Sequence, residues 1–157
     1  MTKKQIIVLI IVGLAALFFV VRIVRNALTS EEAKIKKLVK ELAADFEDKK
    51  FKKIFKYVTE DYTDDGRNTK ESLREDAKLI LAMTTEIDVS IRDLRVVVSG
   101  DERTAEAGFS AKVRMTTKFG DIEPLREGND QITLFLRRED GRWMAYRSTL
   151  RKYRTDF

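Results

Sequence analysis

The chain contains no cysteine and no histidine among its 157 residues. The first absence excludes disulfides and thiolate-bound metals. The second removes the commonest metal ligand and the side chain best matched to general base catalysis near neutral pH. A single proline and seven glycines leave no long Pro- or Gly-rich linker. The composition lacks the bias of a disordered chain: 43% of residues are hydrophobic and 36% charged, as in an ordinary folded protein. An excess of one charge is also missing once position is considered. Net charge is +5, but Lys3, Lys4, Arg22 and Arg25 are four of the 31 basic residues, so the rest of the chain sets 27 against 26 acids. That near-neutral remainder has no nucleic-acid footprint.

Those four residues flank the chain's one long apolar run, Ile6–Val21. Gln5–Val24 is twenty residues, about 30 Å of helix at ~1.5 Å per residue, which matches a bilayer core. Arg22 and Arg25 follow the run directly, with no small-residue cleavage motif of the kind that ends a signal peptide. The expectation is an uncleaved anchor over residues 1–28, with Lys3, Lys4, Arg22 and Arg25 at the membrane interface, ahead of a domain over residues 29–157. A short basic head before a signal anchor commonly stays inside, while long domains cross with little regard to charge. The expected product is a single-pass membrane protein whose domain lies outside the cytoplasm.

Thr29 and Glu32 have capping-box spacing, and Ile35, Leu38, Val39, Leu42, Ala43 and Phe46 then form one apolar stripe. A second, short helix repeats the rule with Phe51, Ile54, Phe55 and Val58. Its other face is Lys49, Lys50, Lys52, Lys53 and Lys56, a solvated helix face or one suited to anionic lipid. "VTEDYTDDGRN" reads as a short strand or turn, and Asn68 with Glu71 opens a third helix that buries Leu73, Ala77, Ile80 and Leu81. Alternating segments follow around 104–119, 131–139 and 142–153, the last two joined by the hairpin signal Asp140-Gly141.

The segment 86–100 alternates with a slip: Ile87, Val89 and Ile91 are odd, whereas Leu94, Val96 and Val98 are even. A change of parity inside a long strand is the mark of a β-bulge, which bends and twists a sheet. Helices first and long strands afterwards give an α+β class: three N-terminal helices packed on a strongly curved antiparallel sheet, an α+β cone, preceded by one transmembrane helix. Trp143 is expected in its core.

This element order, the acidic "VTEDYTDDG" after the second helix, the bulged strand and the final "DGRWMAYRSTLRK" resemble the nuclear transport factor 2-like superfamily over about residues 30–154. A sheet bent at Arg92–Asp93 curls around the helices, and such curvature leaves a cavity between helices and sheet. Enzymes of the superfamily, such as ketosteroid isomerase, pair a carboxylate base with a tyrosine or acid that holds an oxyanion. Here the tyrosine's position falls at Leu42 and the base falls near Asp65 or Gly66, and the histidines of dehydratase relatives have no counterpart. One span followed by this fold is also similar to the bitopic subunits of type IV secretion systems.

The expected function is a membrane-anchored, non-catalytic module for ligand binding or protein assembly. The alternative is an anchored enzyme of the isomerase or dehydratase type using a pocket carboxylate. Candidate pocket residues are Tyr62, Asp65, Arg114, Tyr146 and Arg147. Glu60, Asp61, Asp64 and Asp65 lack the alternating oxygen ligands of a calcium loop and read as a solvated turn, so neither metal nor cofactor is expected. Arginines among Trp143, Tyr146 and Tyr153 make the last strands a surface for an acidic partner, or one paired across strands with acids. Expected partners are membrane lipid through the N-terminal helix and a protein partner or second copy through the sheet face, with no nucleic acid.

Overall fold

The computed structural model describes residues 15–18, 20–21, 30–122 and 130–151. Most of the expected anchor, with Lys3, Lys4, Arg22 and Arg25, lies outside these. The described part of the apolar run is helical, and its Leu17, Phe18, Val20 and Val21 are exposed. Among the described residues no helix is long and apolar enough to cross a membrane.

Helix α1 spans Glu31–Glu47, capped by Ser30, whose hydroxyl accepts from the Ala33 amide at 3.1 Å. Its stripe buries Ile35, Leu38 and Val39. The helix stops where Lys49 turns left-handed, at φ 57°. Two long-range bonds then fasten this end to the start of the sheet. Glu47 accepts from the Val89 amide at 2.7 Å, and the Lys49 ammonium donates to the carbonyls of Thr84 and Thr85 at 2.7 and 2.8 Å.

Helix α2, Phe51–Ile54, runs through a 3-10 turn at Phe55–Tyr57 into strand β1, Val58–Asp64. Helix α3 is Lys70–Met83, and its cap is Thr69 with a capping box to Ser72 rather than Asn68 with Glu71. Asn68 is already engaged: its backbone and side-chain N–H groups donate to the Asp64 carboxylate at 2.8 and 2.9 Å, closing the turn before the helix. Of the expected buried face, Ala77 is buried, Leu73 and Ile80 are half-buried, and Leu81 is exposed.

The sheet adds β2 (Thr84–Val98), β3 (Thr104–Thr117), β4 (Gly120–Ile122), β5 (Asp130–Glu139) and β6 (Arg142–Arg151). Strand order is β1-β6-β5-β3-β2, with β4 also on β3. All pairs are antiparallel except β1 with β6, so the sheet is mixed and not wholly antiparallel. A hairpin obliges its strands to run oppositely, whereas no short turn connects β1 to β6 and sets their relative direction.

The bulge is present. Arg92 pairs Ser110 and Arg95 pairs Gly108, so Asp93 and Leu94 stand opposite Phe109 alone. Asp93 takes up the extra residue in a left-handed conformation, φ 55°. Ile91 and Leu94 consequently both pack against the core despite their odd separation. A second irregularity lies in β6, where Phe135 pairs Arg147 but Leu136 pairs Ala145, leaving Tyr146 extra.

The core joins Ile35, Leu38 and Val39 of α1 to Val96, Ala105, Ala107, Leu136 and Trp143 of the sheet. Trp143 is 6% exposed, as expected of a core residue. Its indole N–H is satisfied by the Glu31 carboxylate at 2.8 Å, which permits burial of the whole ring.

Candidate functional site

Beyond the Trp143 end of the core, α1, α2 and the sheet line a cavity of about 270 Å³ that opens to solvent. Val39, Leu42, Ala43 and Phe46 of α1 and Ile54 of α2 form one wall. Val89 and Ile91 of β2, Phe109, Ala111 and Val113 of β3, and Ile132 and Leu134 of β5 form the other. The helical period and the strand period meet here, each turning its apolar face inward. The bulge at Asp93 separates this wall from the Leu94–Val98 half of β2, which packs on the rest of the core. Ala43 and Ala111 leave room where larger side chains would fill the space.

Every lining side chain is apolar. The wall therefore offers no general acid, no base and no metal ligand, and contact with it is governed by burial of apolar surface. Leu42, which the resemblance places where an oxyanion-holding tyrosine would stand, is on this wall and offers no donor.

None of the five expected pocket residues lines the cavity. Tyr62 is buried, and its hydroxyl shares a 2.6 Å hydrogen bond with Ser148, the cross-strand partner of the lining residue Leu134. Burial pushes the Tyr62 phenol up from its ordinary value. Asp65, Tyr146 and Arg147 come together elsewhere, around Phe135, which neighbours the lining Leu134 in β5 and so points to the opposite face. The Arg147 guanidinium lies 5.5 Å from the Phe135 ring centre and 3.5 Å from Asp65. Tyr146 is tilted against Phe135 at 6.4 Å, and Arg137 sits 5.6 Å from the Tyr146 ring centre. Arg114 is apart from these, exposed on β3 opposite Asp88.

The four acids after α2 are divided among different partners. Glu60 takes the buried Lys70 ammonium at 2.6 Å, Asp64 takes Asn68, and Asp65 takes Arg147. Asp61 receives Arg137 in a two-pronged pair at 2.9 and 2.8 Å. That guanidinium holds the Asp61 carboxyl at about 2, and the lysine at Glu60 holds that carboxyl below its ordinary value. Of the arginines of the last strands, Arg137 pairs with Asp61 of β1, Arg147 with Asp65 in the turn after β1, and Arg138 approaches Glu31 of α1 at 3.8 Å.

Sequence reasoning placed Val39, Leu42, Ala43 and Phe46 and the face of Phe109, Ala111 and Val113 inward but chose its pocket candidates from polar residues. The available signal was the inward apolar face Phe109, Ala111 and Val113 within "AEAGFSAKV", of whose alanines only Ala111 borders the cavity, while Ala105 and Ala107 are packed in the core.

No protein-family model matches the sequence, and no curated protein matches it. Solved structures do. An NTF2-like protein from Cytophaga hutchinsonii superposes with a TM-score of 0.63 at 12% identity, covering 78% of this chain and 98% of that one. An NTF2-like protein of unknown function from Pseudomonas putida gives 0.61 at 18% identity over 78% and 86%. A ketosteroid isomerase-like protein from Erwinia carotovora atroseptica gives 0.58 at 18% identity over 79% and 97%. At these identities the likeness is one of fold, and the chain has the α+β fold of NTF2-like proteins.

Proposed function

We propose that the chain is a membrane-anchored module, with its domain outside the cytoplasm, that holds a small apolar ligand and performs no chemistry on it. The observation that carries this reading is the cavity of about 270 Å³ whose lining side chains are all apolar. Such a wall binds by desolvation and shape, and discriminates poorly among ligands that differ only in a polar group. An isomerase-type reaction needs a carboxylate against the substrate, and Asp65 is exposed and paired with Arg147 away from the wall.

Native mass spectrometry of the full chain released from nanodiscs tests the reading. Wild-type protein is expected to carry a non-covalent apolar adduct. Ala111→Phe, which places a ring inside the cavity, is expected to lose the adduct while keeping the wild-type circular dichroism. Equal occupancy in the two proteins would overturn the cavity as the binding site. Loss of the adduct in Asp65→Asn would favour the carboxylate reading instead.

A further inference from the structure

Four large apolar side chains at one end of the domain face water, with Leu81 set apart on the other flank of α3. Leu79 and Met83, four apart on one side of α3, are 61% and 48% exposed. They point away from the stripe Leu73, Ala77 and Ile80 that meets the rest of the domain. Phe119, in the turn between β3 and β4, is 93% exposed. The turn is built to hold it there. The Thr117 hydroxyl accepts from the Phe119 amide at 3.3 Å and donates to the Gly120 carbonyl at 2.7 Å, and Gly120 has φ 118°, which only glycine adopts freely. The Lys118 amide donates to the Met83 carbonyl at 3.4 Å, so the turn and the end of α3 are neighbours. Together they form one apolar ridge.

Ammonium groups flank it. Lys118 is exposed beside Phe119. The Lys49 ammonium, bonded to the Thr84 and Thr85 carbonyls, brings the α1–α2 turn to the same end, and Lys50, Lys52 and Lys53 follow at once. Lys50 is paired with Asp48 and Lys53 lies 3.9 Å from Asp45, whereas Lys52 and Lys118 form no ion pair among the described residues. A ridge of Phe, Leu and Met bordered by lysines matches a bilayer interface with anionic headgroups: hydrocarbon takes the ridge and phosphates take the ammonium groups. Glu86, exposed and opposite Thr116, lies at the same end, so a second copy is the competing occupant, which bromolipid quenching separates from lipid.

The proposed anchor would keep the domain near a bilayer. Residues 22–29, between the apolar run and α1, span at most about 28 Å when extended. That reach is comparable with the ~25 Å length of the 17-residue α1, which separates Ser30 from the ridge end of the domain. We propose that the end bearing Phe119, Leu79 and Met83 docks on the anionic bilayer into which residues 6–21 insert. The proposal rests on the anchor part of the proposed function and is independent of the cavity's ligand.

The absence of cysteine makes the test clean. Full-length Phe119→Cys, Leu79→Cys and Arg103→Cys are each labelled with an environment-sensitive fluorophore and reconstituted in vesicles of phosphatidylcholine with phosphatidylglycerol. Arg103 lies beyond the far end of the β2–β3 pair and reports the opposite pole. Labels at 119 and 79 are expected to shift to the blue and to be quenched several-fold more by brominated lipid than the label at 103. Lys118→Glu, or phosphatidylcholine alone, is expected to reduce that quenching. Labels at 119 and 79 as water-exposed as the label at 103 would overturn the proposal. So would shielding without bromolipid quenching, which a second copy would produce, or equal quenching with and without phosphatidylglycerol. Flotation of the same samples reports the anchor separately, so protein that floats but is not quenched loses the docking surface alone.

Discussion

Single residues at both ends of the core carry distinct electrostatic and conformational duties. Glu31 binds the indole N–H of buried Trp143 and also the Lys34 ammonium at 2.7 Å, and the lysine is the main cause of its carboxyl lying below the ordinary value. Glu31→Ala leaves the buried N–H without a partner, an expected loss of about 1–3 kcal/mol in denaturant unfolding. In a Trp143→Phe background the donor is already gone, so the same change should cost clearly less. An undiminished cost there would assign the effect to Lys34 and Arg138 instead. Asp93 has a different duty, holding φ 55° at the bulge with an exposed side chain. Asp93→Gly is expected to be near neutral. Asp93→Val should lose about 1–2 kcal/mol, because a branched Cβ crowds the left-handed backbone.

At the level of elements, the bulge was legible because both halves of β2 are apolar on alternate residues and only the parity changes. Removing Asp93 leaves Leu94 alone opposite Phe109 with the flanking pairs unchanged, so the register survives and what is lost is the bend and twist with which the extra residue wraps β2 around α1. This deletion is expected to lower the melting temperature far more than removing one residue from the 123–129 connection. Equal melting temperatures would mean that the bulge can be removed without loss. The second irregularity, at Tyr146, was not legible, because aromatic and arginine side chains lie on both parities of β6 and blur its alternation. The cap of α3 fell one residue from its expected place for a similar reason. Asn68 and Thr69 are both good caps, and only the folded turn shows that Asp64 has taken Asn68.

Across the whole molecule, ion pairs tie the β1 edge to its neighbours, and they titrate in acid. Ionised Asp61 is favoured more in the folded protein, where its carboxyl stands at about 2, than in an unfolded chain, where aspartate titrates near ~3.9. Its contribution is therefore complete above the unfolded value and is lost as pH falls through the window down to about 2. Glu60 and Glu31 shift in the same direction. Thermal unfolding followed from neutral pH into acid should show stability falling through this window, and Arg137→Gln should flatten part of the fall. A variant with an unchanged acid profile would remove the Asp61–Arg137 pair from the account.

Fold class, the helical stripes, the buried tryptophan and the β2 bulge followed from periodicity, because local spacing alone decides which side chains share a face. The cavity's apolar make-up and size, the parallel edge and the whereabouts of the polar candidates did not. Asp65, Tyr146 and Arg147 looked suited to a pocket by chemistry. Which side of the sheet they occupy depends on an extra residue in β6, and on β1 pairing with β6 from the other end of the domain. Whether the space under α1 is filled depends on the summed volumes of side chains from α1, α2, β2, β3 and β5. These come together only when distant segments pack, so their sum is a property of the tertiary structure.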